Sequence, residues 1–287
     1  MSIIKRGLRR GVQSDRLGGV KVKAIPIASL KGGVGKSTIT AQLGKALRRR
    51  GHKVALLDLD IHGPNLHLAL GLSHPPPLEL DTAGESIIPN HVDGVEFVTL
   101  ASHFAEGTRI LWKGEAKLDL VREMLEGVIA WDSPDYLLFD CPPTLGDEVQ
   151  ALFENLPNPH GVVLVTQPSD LSVDDASRLL DMLAEGGIPL IGLVANMDGA
   201  LCPHCNHRFY PFASRRVDIE QFCKEHKLPF LMSIPQVTQS ALLTYTDKLA
   251  RLVDITTPVR LPIPSIRRKL KRQIAKKVLE VAARGNA

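Results

Sequence analysis

The sequence of 287 residues predicts a doubly wound α/β fold with a mostly parallel sheet. Short apolar runs alternate with segments whose apolar residues recur every three or four positions, as strands and helices alternate in such folds. A glycine-rich stretch, residues 29–38, joins the first apolar run, residues 22–28, to a helical pattern at residues 37–50. Carboxylates follow two later runs, and the carboxyl ends of parallel strands are where these folds bind ligands. The alternation favours one large domain over two small ones.

Residues 29–38, Ser-Leu-Lys-Gly-Gly-Val-Gly-Lys-Ser-Thr, have the order of a phosphate-binding loop. Successive glycines let backbone N–H groups point at a phosphate chain, and the following helix directs the positive end of its dipole at the same oxygens. Lys36 is predicted to reach the β and γ phosphates, and Ser37 to supply a hydroxyl ligand for Mg²⁺. The predicted nucleotide ligands are Gly32, Gly33, Val34, Gly35, Lys36, Ser37 and Thr38.

The loop departs from the general pattern at two positions. Leu30 stands where a glycine is usual, and Lys31 adds a second lysine at the start. This two-lysine form resembles the deviant Walker A loop of the MinD/ParA/Mrp class of ATPases. The resemblance implies a P-loop NTPase of the MinD/ParA-like class and a homodimer with ATP between its halves, in which Lys31 reaches the nucleotide of the partner subunit. Lys31 and Lys36 are therefore candidate catalytic residues.

The second apolar run, residues 54–59, leads into Asp58-Leu59-Asp60. At the carboxyl end of a parallel strand, Asp60 is predicted to orient a water toward the γ-phosphate, and Asp58 to support the magnesium shell. The alternative for both carboxylates is that they only cap the end of the strand. Residues 61–65, with a helical pattern at 66–72, resemble the switch I region of the Mrp/ApbC branch of this class.

A third apolar run, residues 135–140, ends in Asp140. Residues 141–148 then resemble the Walker B and switch II run of the Mrp branch, although Cys141, Thr144 and Leu145 depart from its usual pattern. The resemblance implies that Asp140 holds a magnesium-bound water and that the following loop senses the γ-phosphate. Cys141 is expected to be a small buried hydrophobic residue rather than a ligand.

Two later residues are predicted to lie beside the base of the nucleotide. Asn196 follows the apolar run at 190–195, and an asparagine amide can read the adenine edge with both of its groups. Asn196-Met197-Asp198 is too short for the motif of GTP-specific relatives, so ATP is the predicted nucleotide. Pro235 follows the run at 230–234, in a position that lies beside the adenine in the class that the chain resembles.

Cys202 and Cys205 form a Cys-x-x-Cys pair, a spacing that indicates a possible metal site. With the preceding Asn-Met, the pair resembles that of the Mrp/ApbC iron–sulfur cluster carriers. The resemblance implies that two thiolates from each of two subunits hold one [4Fe-4S] cluster, a Cys₄ environment that such clusters favour. A structural zinc completed by His204 or His207, a redox dithiol, and an unliganded pair are the alternatives. Cys223 is expected to be structural.

The remaining periodicity predicts further elements. Strands are expected within 92–100 and at 162–166, and a hairpin between 71 and 90. Helices are expected at 117–131, from Ser172 onward with Asp175 in capping-box spacing, at 217–226, at 238–249 and at 265–283.

The net charge of +4 is unevenly distributed. Residues 1–23 carry +6 and residues 265–287 carry +7, so the rest of the chain carries −9. We therefore divide the chain into a basic N-terminal arm at 1–21, an ATPase domain with the Cys-x-x-Cys site at 22–264, and a basic amphipathic C-terminal helix at 265–287. The basic ends are either solvated tails or contacts for nucleic acid, for the anionic lipid of a membrane or for an acidic partner protein.

Together, the motifs predict an ATP-binding iron–sulfur cluster carrier that transfers a labile cluster to apo-proteins, with weak ATP hydrolysis. The alternative is a MinD/ParA-like positioning ATPase that acts on membrane or DNA and holds a structural zinc at its cysteine pair. A nitrogenase-reductase-like electron donor shares the fold, but its cluster cysteines occupy other loops. We expect a cytoplasmic protein, because no apolar segment has the length of a membrane span or a signal peptide.

Overall fold

The structure, a computed structural model, describes residues 16–17, 20–61, 63–101, 114–144, 146–156, 158–202, 204–211 and 216–262. The expectation for the C-terminal helix at 265–287 lies outside these residues, as does most of that for the basic arm at 1–21. None of the helices that the structure describes is long and apolar enough to cross a membrane.

Thirteen strands are present in the described ranges. They are β1 Arg16–Leu17, β2 Val20–Lys21, β3 Lys23–Ala28, β4 Val54–Asp58, β5 Glu79–Leu80, β6 Ile87–Ile88, β7 Asn90–Val92, β8 Val95–Val98, β9 Tyr136–Asp140, β10 Val162–Thr166, β11 Leu190–Leu201, β12 Arg208–Phe209 and β13 Phe230–Gln236. The helices there are α1 Lys36–Arg49, α2 Leu66–Leu70, α3 Gly114–Glu126, α4 Asp147–Asn155, α5 Asp170–Gly186, α6 Ile219–His226 and α7 Gln239–Ile255.

A nine-stranded sheet forms the centre of the fold. Its strands lie in the order β13-β11-β10-β3-β9-β4-β8-β7, and β12 pairs with the far end of β11. The strands from β13 to β8 are parallel to their neighbours, while β7 and β12 are antiparallel. This confirms the predicted doubly wound, mostly parallel α/β fold. The register places Asp58 at the end of β4 opposite Asp140 at the end of β9.

Helices cover both faces of the sheet, which is why the strands are apolar on both faces. Ala24 and Ala28 of β3 belong to one buried cluster, with residues from α3, α4, α5 and α6. Ile25 and Ile27 belong to the cluster on the other face, with residues from α1, α2 and α7. The alternation follows from the period of two along a strand. Because the helices cover the two faces, the carboxyl edge of the sheet is left to the polar loops.

Most predicted elements are confirmed within a few residues, including the hairpin between residues 71 and 90, which is formed by β5 and β6. The helix predicted at 117–131 is wrong at its C-terminal end, because α3 ends at Glu126 and Gly127 turns with a φ of 107°. Ile129 instead bridges to Ile87, and Trp131 packs against the core. The strand predicted at 190–195 is also too short, since β11 continues to Leu201 through an irregularity after Asn196.

The predicted start of α5 is wrong as well. The helix begins at Asp170, and Ser169 occupies the N-cap position in an extended conformation. Ser172 lies inside the first turn, where its hydroxyl faces the hydroxyl of Ser169 at 2.8 Å. Asp175 pairs with Arg178 at 3.6 Å instead of closing a capping box. The sequence offered two serines at plausible spacing, and tertiary contacts selected the earlier one.

Candidate functional site

The glycine-rich loop connects β3 to α1 at the carboxyl edge of the sheet. Gly33 and Gly35 have positive φ angles of 75° and 88°, which favour glycine. A Cβ atom on Gly35 would lie 2.4 Å from Nδ2 of Asn196, so a side chain has no room there. No side chain caps α1, and its first turn has no acidic residue. The helix therefore presents unoccupied N–H groups and a positive dipole end to an anion, as a phosphate site requires.

The two lysines of the loop lie close together. The Lys36 ammonium donates a hydrogen bond to the carbonyl oxygen of Lys31 at 3.4 Å. Burial lowers the pKa of Lys36 despite the opposing attraction of Asp140. Lys31 directs its own ammonium to the hydroxyl of Ser172, at 3.2 Å. Lys36 thus faces the interior of the site, while Lys31 lies between the loop and α5; its role toward a partner subunit stays a prediction.

Asp140 is the strongest candidate for holding a cation. Its carboxyl group is 1% exposed, and one oxygen accepts a hydrogen bond from the Thr40 hydroxyl at 3.4 Å. The other oxygen, Oδ2, is buried and has no hydrogen-bond partner among the residues that the structure describes. Burial raises the pKa of Asp140 to about 6, against the lowering effects of the Ser37 hydroxyl and Lys36. A partnerless carboxylate oxygen beside a hydroxyl fits the oxygen ligands of Mg²⁺.

The other two carboxylates are placed differently. Both Asp58 oxygens are occupied: Oδ2 accepts from the Thr99 hydroxyl and the Leu66 N–H, and Oδ1 accepts from the Asp60 N–H. Asp58 therefore anchors the start of α2 and the loop before it, and burial and Asp140 raise its pKa. Asp60 accepts a hydrogen bond from the N–H of Gly63 at 3.1 Å. Its predicted catalytic role is untested by this geometry.

The predicted base-contacting residues lie on neighbouring strands. The Asn196 amide nitrogen donates to the carbonyl oxygen of Val34 at 2.8 Å, which ties the end of the parallel part of β11 to the phosphate loop. Its oxygen and its second N–H are the groups left to contact a base. Pro235 is buried on β13, beside the register partner of Asn196, Ile234. Adenine recognition by Asn196 and Pro235 stays a prediction.

Sequence reasoning missed several polar residues around the phosphate loop. The Gln167 amide donates to the carbonyl oxygen of Gly33 at 3.3 Å, and the same nitrogen lies 3.0 Å from the sulfur of Met197. Ser172 and Thr40 contact Lys31 and Asp140, respectively. Gln167 follows a predicted strand directly, which is the one signal that marked it.

Cys202 and Cys205 lie at a tight turn between β11 and β12. Within this turn the Cys202 N–H donates to the carbonyl oxygen of His207, and the Asn206 N–H donates to the carbonyl oxygen of Cys202, both at 2.9 Å. Cys202 is partly exposed and Cys205 is exposed. The backbone N–H groups of Cys205 and His204 lower the pKa of the Cys202 thiol, which favours the thiolate that binds metals.

The surroundings of the pair supply few further ligands. His204 and His207 are both exposed. Across the part of the chain that the structure describes, no group of three or more His, Cys, Asp or Glu residues is placed to hold a metal ion. Cys141 and Cys223 are each 1% exposed, as expected for structural residues. Burial raises the pKa of both thiols. The turn thus offers two thiols to a metal and needs other donors from elsewhere.

Comparison with known proteins extends over most of the chain. The family described as ParA, NUBPL iron-transfer P-loop NTPase, matches residues 20–275. An iron–sulfur cluster carrier protein of Methanocaldococcus jannaschii is 37% identical over 212 residues, which are 74% of this chain and 71% of that protein. A cytosolic Fe-S cluster assembly factor, the Nubp2 homolog of Drosophila simulans, is 36% identical over 249 residues, covering 83% and 92% of the two chains.

Solved structures show the same fold. A nucleotide-binding protein from Archaeoglobus fulgidus in complex with ADP superposes with a TM-score of 0.62 at 28% identity, over 80% of this chain and 87% of that one. The septum site-determining protein MinD of Pyrococcus horikoshii, complexed with Mg-ADP, gives a TM-score of 0.59 at 23% identity, over 82% and 96%. With its phosphate loop, its carboxylates and a sequence match over nearly the whole described region, the chain belongs to the NUBPL iron-transfer P-loop NTPase family of the ParA class.

Proposed function

We propose that this protein is an ATP-binding iron–sulfur cluster carrier. Two copies hold one [4Fe-4S] cluster as cargo between their Cys202 and Cys205 thiolates and transfer it to apo-proteins. ATP hydrolysis is weak and controls the geometry of the dimer. The names of the curated relatives, an iron–sulfur cluster carrier and cytosolic Fe-S assembly factors, support this function and a cytosolic location.

The observation that carries the proposal is the course of β11. Asn196 of this strand holds the carbonyl of Val34 in the phosphate loop, and Cys202 follows six residues later in the same chain segment. A nucleotide that moves the loop therefore acts on a strand that leads directly to the thiols. β11 thus offers a short covalent route from the phosphate loop to the cysteine pair.

The residues at the phosphate loop fit Mg-ATP. Bound Mg²⁺ would neutralise phosphate charge and orient the γ-phosphate for hydrolysis. Ser37 and Asp140 would hold the ion or its waters, since the Asp140 carboxylate has a partnerless oxygen beside the Ser37 hydroxyl. Lys36 would contact the β and γ phosphates, and Asp60 would orient the attacking water. Lys31 would leave Ser172 to reach the nucleotide of the second subunit.

The number of thiols at the turn favours a shared site. A [4Fe-4S] cluster takes four thiolates, and each chain offers two in one exposed turn. Zinc also suits thiolates, but a tetrahedral site within one chain would need both exposed histidines to turn toward the cysteines. A second copy supplies the missing thiolates without such a rearrangement.

Anaerobic reconstitution with iron and sulfide tests the proposal. Wild-type protein should form a dimer with about four irons and four sulfides and a broad charge-transfer band, as expected for a Cys₄ [4Fe-4S] centre. The double variant Cys202→Ser/Cys205→Ser should take up none and still bind ATP. Cys223→Ala is the matched control, because this cysteine is buried on α6 and away from the turn.

The outcome separates the proposal from its main alternative. Zinc bound tightly at one ion per chain, with no uptake of iron and sulfide, would contradict the carrier function and assign the cysteine pair to structure. Loss of ATP binding in the double cysteine variant would contradict the assignment of nucleotide and cluster to separate sites.

A further inference from the structure

A buried carboxylate on β11, that of Asp198, lies just before the turn that carries the cysteines. We call the end of β11, β12 and the turn between them the cysteine hairpin. Asp198 lies at its base and is 4% exposed, although it is a charged residue. A desolvated carboxylate needs strong partners, and Asp198 has three within the described ranges.

Arginine and serine side chains surround the Asp198 carboxylate. Arg216 donates to both of its oxygens, through Nε at 2.8 Å and through Nη2 at 3.2 Å. The Ser233 hydroxyl donates to it at 2.6 Å. Arg208 lies 3.8 Å away and donates to the Ser233 oxygen at 2.9 Å. We call these four residues the Asp198 clasp.

The members of the clasp come from every segment that meets at the hairpin. Asp198 belongs to β11, Arg208 to β12, Ser233 to β13, and Arg216 to the segment that leads from the hairpin into α6. The Arg216 guanidinium also lies 4.3 Å above the ring of Tyr210, just after β12. The clasp thus fixes both strands of the hairpin, and the chain that leaves it, to the edge strand of the sheet.

The backbone of β11 is shaped to bury Asp198. The residues on either side of it, Met197 and Gly199, have positive φ angles of 57° and 76°. Such an angle is unfavourable for methionine. A Cβ on Gly199 would lie 2.7 Å from the carbonyl oxygen of Phe209, so glycine is required for β11 and β12 to approach this closely. A strained backbone conformation persists only when contacts around it hold it in place. The hydrogen bonds and ion pairs of the clasp are such contacts.

We propose that Asp198 is a positioning residue for the cysteine pair: with Arg216 and Ser233 it sets the orientation of the hairpin, and so of the Cys202 and Cys205 thiols, relative to β11. A bidentate arginine–carboxylate pair fixes orientation as well as distance. Buried ion pairs contribute little net stability compared with apolar packing, and a fixed geometry is their best supported role. The proposal rests on the proposed function only in treating the two cysteines as cargo ligands.

The test uses the full chain with Asp198→Asn, an isosteric change, and compares amide hydrogen exchange and metal affinity. The N–H groups of Cys202 and Asn206, which are hydrogen-bonded within the turn, should exchange at least about tenfold faster, while protection of the central strands β3 and β9 is unchanged. Anaerobic affinity for cobalt(II), followed by its thiolate charge-transfer absorbance, should fall about 10- to 100-fold, as for other residues that orient metal ligands.

Further variants separate positioning from general stability. Arg178→Ala removes an exposed ion pair on α5 and should change neither readout. Arg216→Lys keeps the charge but loses bidentate geometry, so it should give an intermediate effect on both. Unchanged hairpin exchange and cobalt affinity in Asp198→Asn would overturn the proposal.

Two more results separate the proposal from a global loss of stability and from a failure of the proposed function. If Asp198→Asn loses protection throughout the protein, Arg216→Lys and Ser233→Ala decide, since a local loss at the hairpin supports positioning and none overturns it. If the wild type binds neither cobalt nor an iron–sulfur cluster at the cysteines, the proposed function fails. The hydrogen-exchange measurement on Asp198→Asn then still tests whether the clasp sets the orientation of the hairpin.

Discussion

Replacing Asp140 by asparagine should stabilise the nucleotide-free protein while it abolishes magnesium-dependent nucleotide binding. The residue is 1% exposed, and its Oδ2 atom has no hydrogen-bond partner in the part of the chain that the structure describes. Burial raises its pKa from 3.8 to about 6. At neutral pH the folded, nucleotide-free protein therefore carries a buried negative charge whose cost Mg²⁺ would relieve.

The size of the effect follows from the pKa shift. The native carboxyl binds its proton more tightly than the unfolded one, so the free energy of unfolding falls as the pH rises through the window from 3.8 to about 6. Above this window the ionised group costs about 3 kcal/mol. An amide keeps only part of the hydrogen bonding with Ser37 and Thr40, which offsets about 1 kcal/mol. The net gain is about 2 kcal/mol, or about 3 °C in melting temperature for a chain of 287 residues.

The assay is denaturant unfolding of wild type and variant without nucleotide or Mg²⁺. The advantage of Asp140→Asn should fall to about a third between pH 7 and pH 5, since the wild-type group becomes protonated there. Asp58→Asn is the contrasting variant. N–H and hydroxyl groups donate to both Asp58 oxygens, so the NH₂ group of the asparagine would face a donor in either orientation and the protein should be destabilised. An Asp140→Asn protein that is less stable than wild type at pH 7, or whose advantage does not change with pH, would refute the reasoning.

Two further changes probe the loop and the opposite edge of the sheet. Gly35→Ala should weaken ATP binding, measured by calorimetry, by about 30-fold or more, because a positive φ and a clash with Asn196 together cost about 2–3 kcal/mol. The matched control is Gly51→Ala, at a glycine with a φ of 93° and open space around it. An ATP affinity of Gly35→Ala within threefold of wild type, about 0.7 kcal/mol, would contradict the clash. Asp254→Asn removes the carboxylate that accepts hydrogen bonds from Tyr136 and two cations. The Tyr136 hydroxyl and these cations hold the pKa of Asp254 at about 2, so its contribution exists above the unfolded value of 3.8 and is lost as the pH falls between them. We expect a loss of about 1 kcal/mol at pH 7 after screening, less at pH 3, with ATP affinity unchanged; urea unfolding that gives equal losses at both pH values would disprove the electrostatic explanation.

Local order in the sequence was enough to predict the phosphate loop and the strands that lead to its carboxylates. The glycines, Lys36 and Ser37 lie within one short segment, and β3 and α1 have clear periods on either side of it. Asp140 was found because it ends an apolar run, a signal that needs no tertiary information. Predictions failed where a distant contact decided between local options, as when Ile129 left the helical pattern to bridge with Ile87.

The role of Asp198 illustrates what the sequence conceals. Its partners Arg216 and Ser233 lie 18 and 35 residues further along the chain, and no local pattern joins them. In the sequence, Asp198 reads as one more polar residue after a strand that was expected to end at Ala195. The irregularity that turns the side chain inward depends on close approach of β12 at Gly199, which is a property of the folded hairpin. In the proposed carrier, a Cys-x-x-Cys motif therefore specifies the metal ligands, whereas their orientation would depend on groups that only the fold brings together.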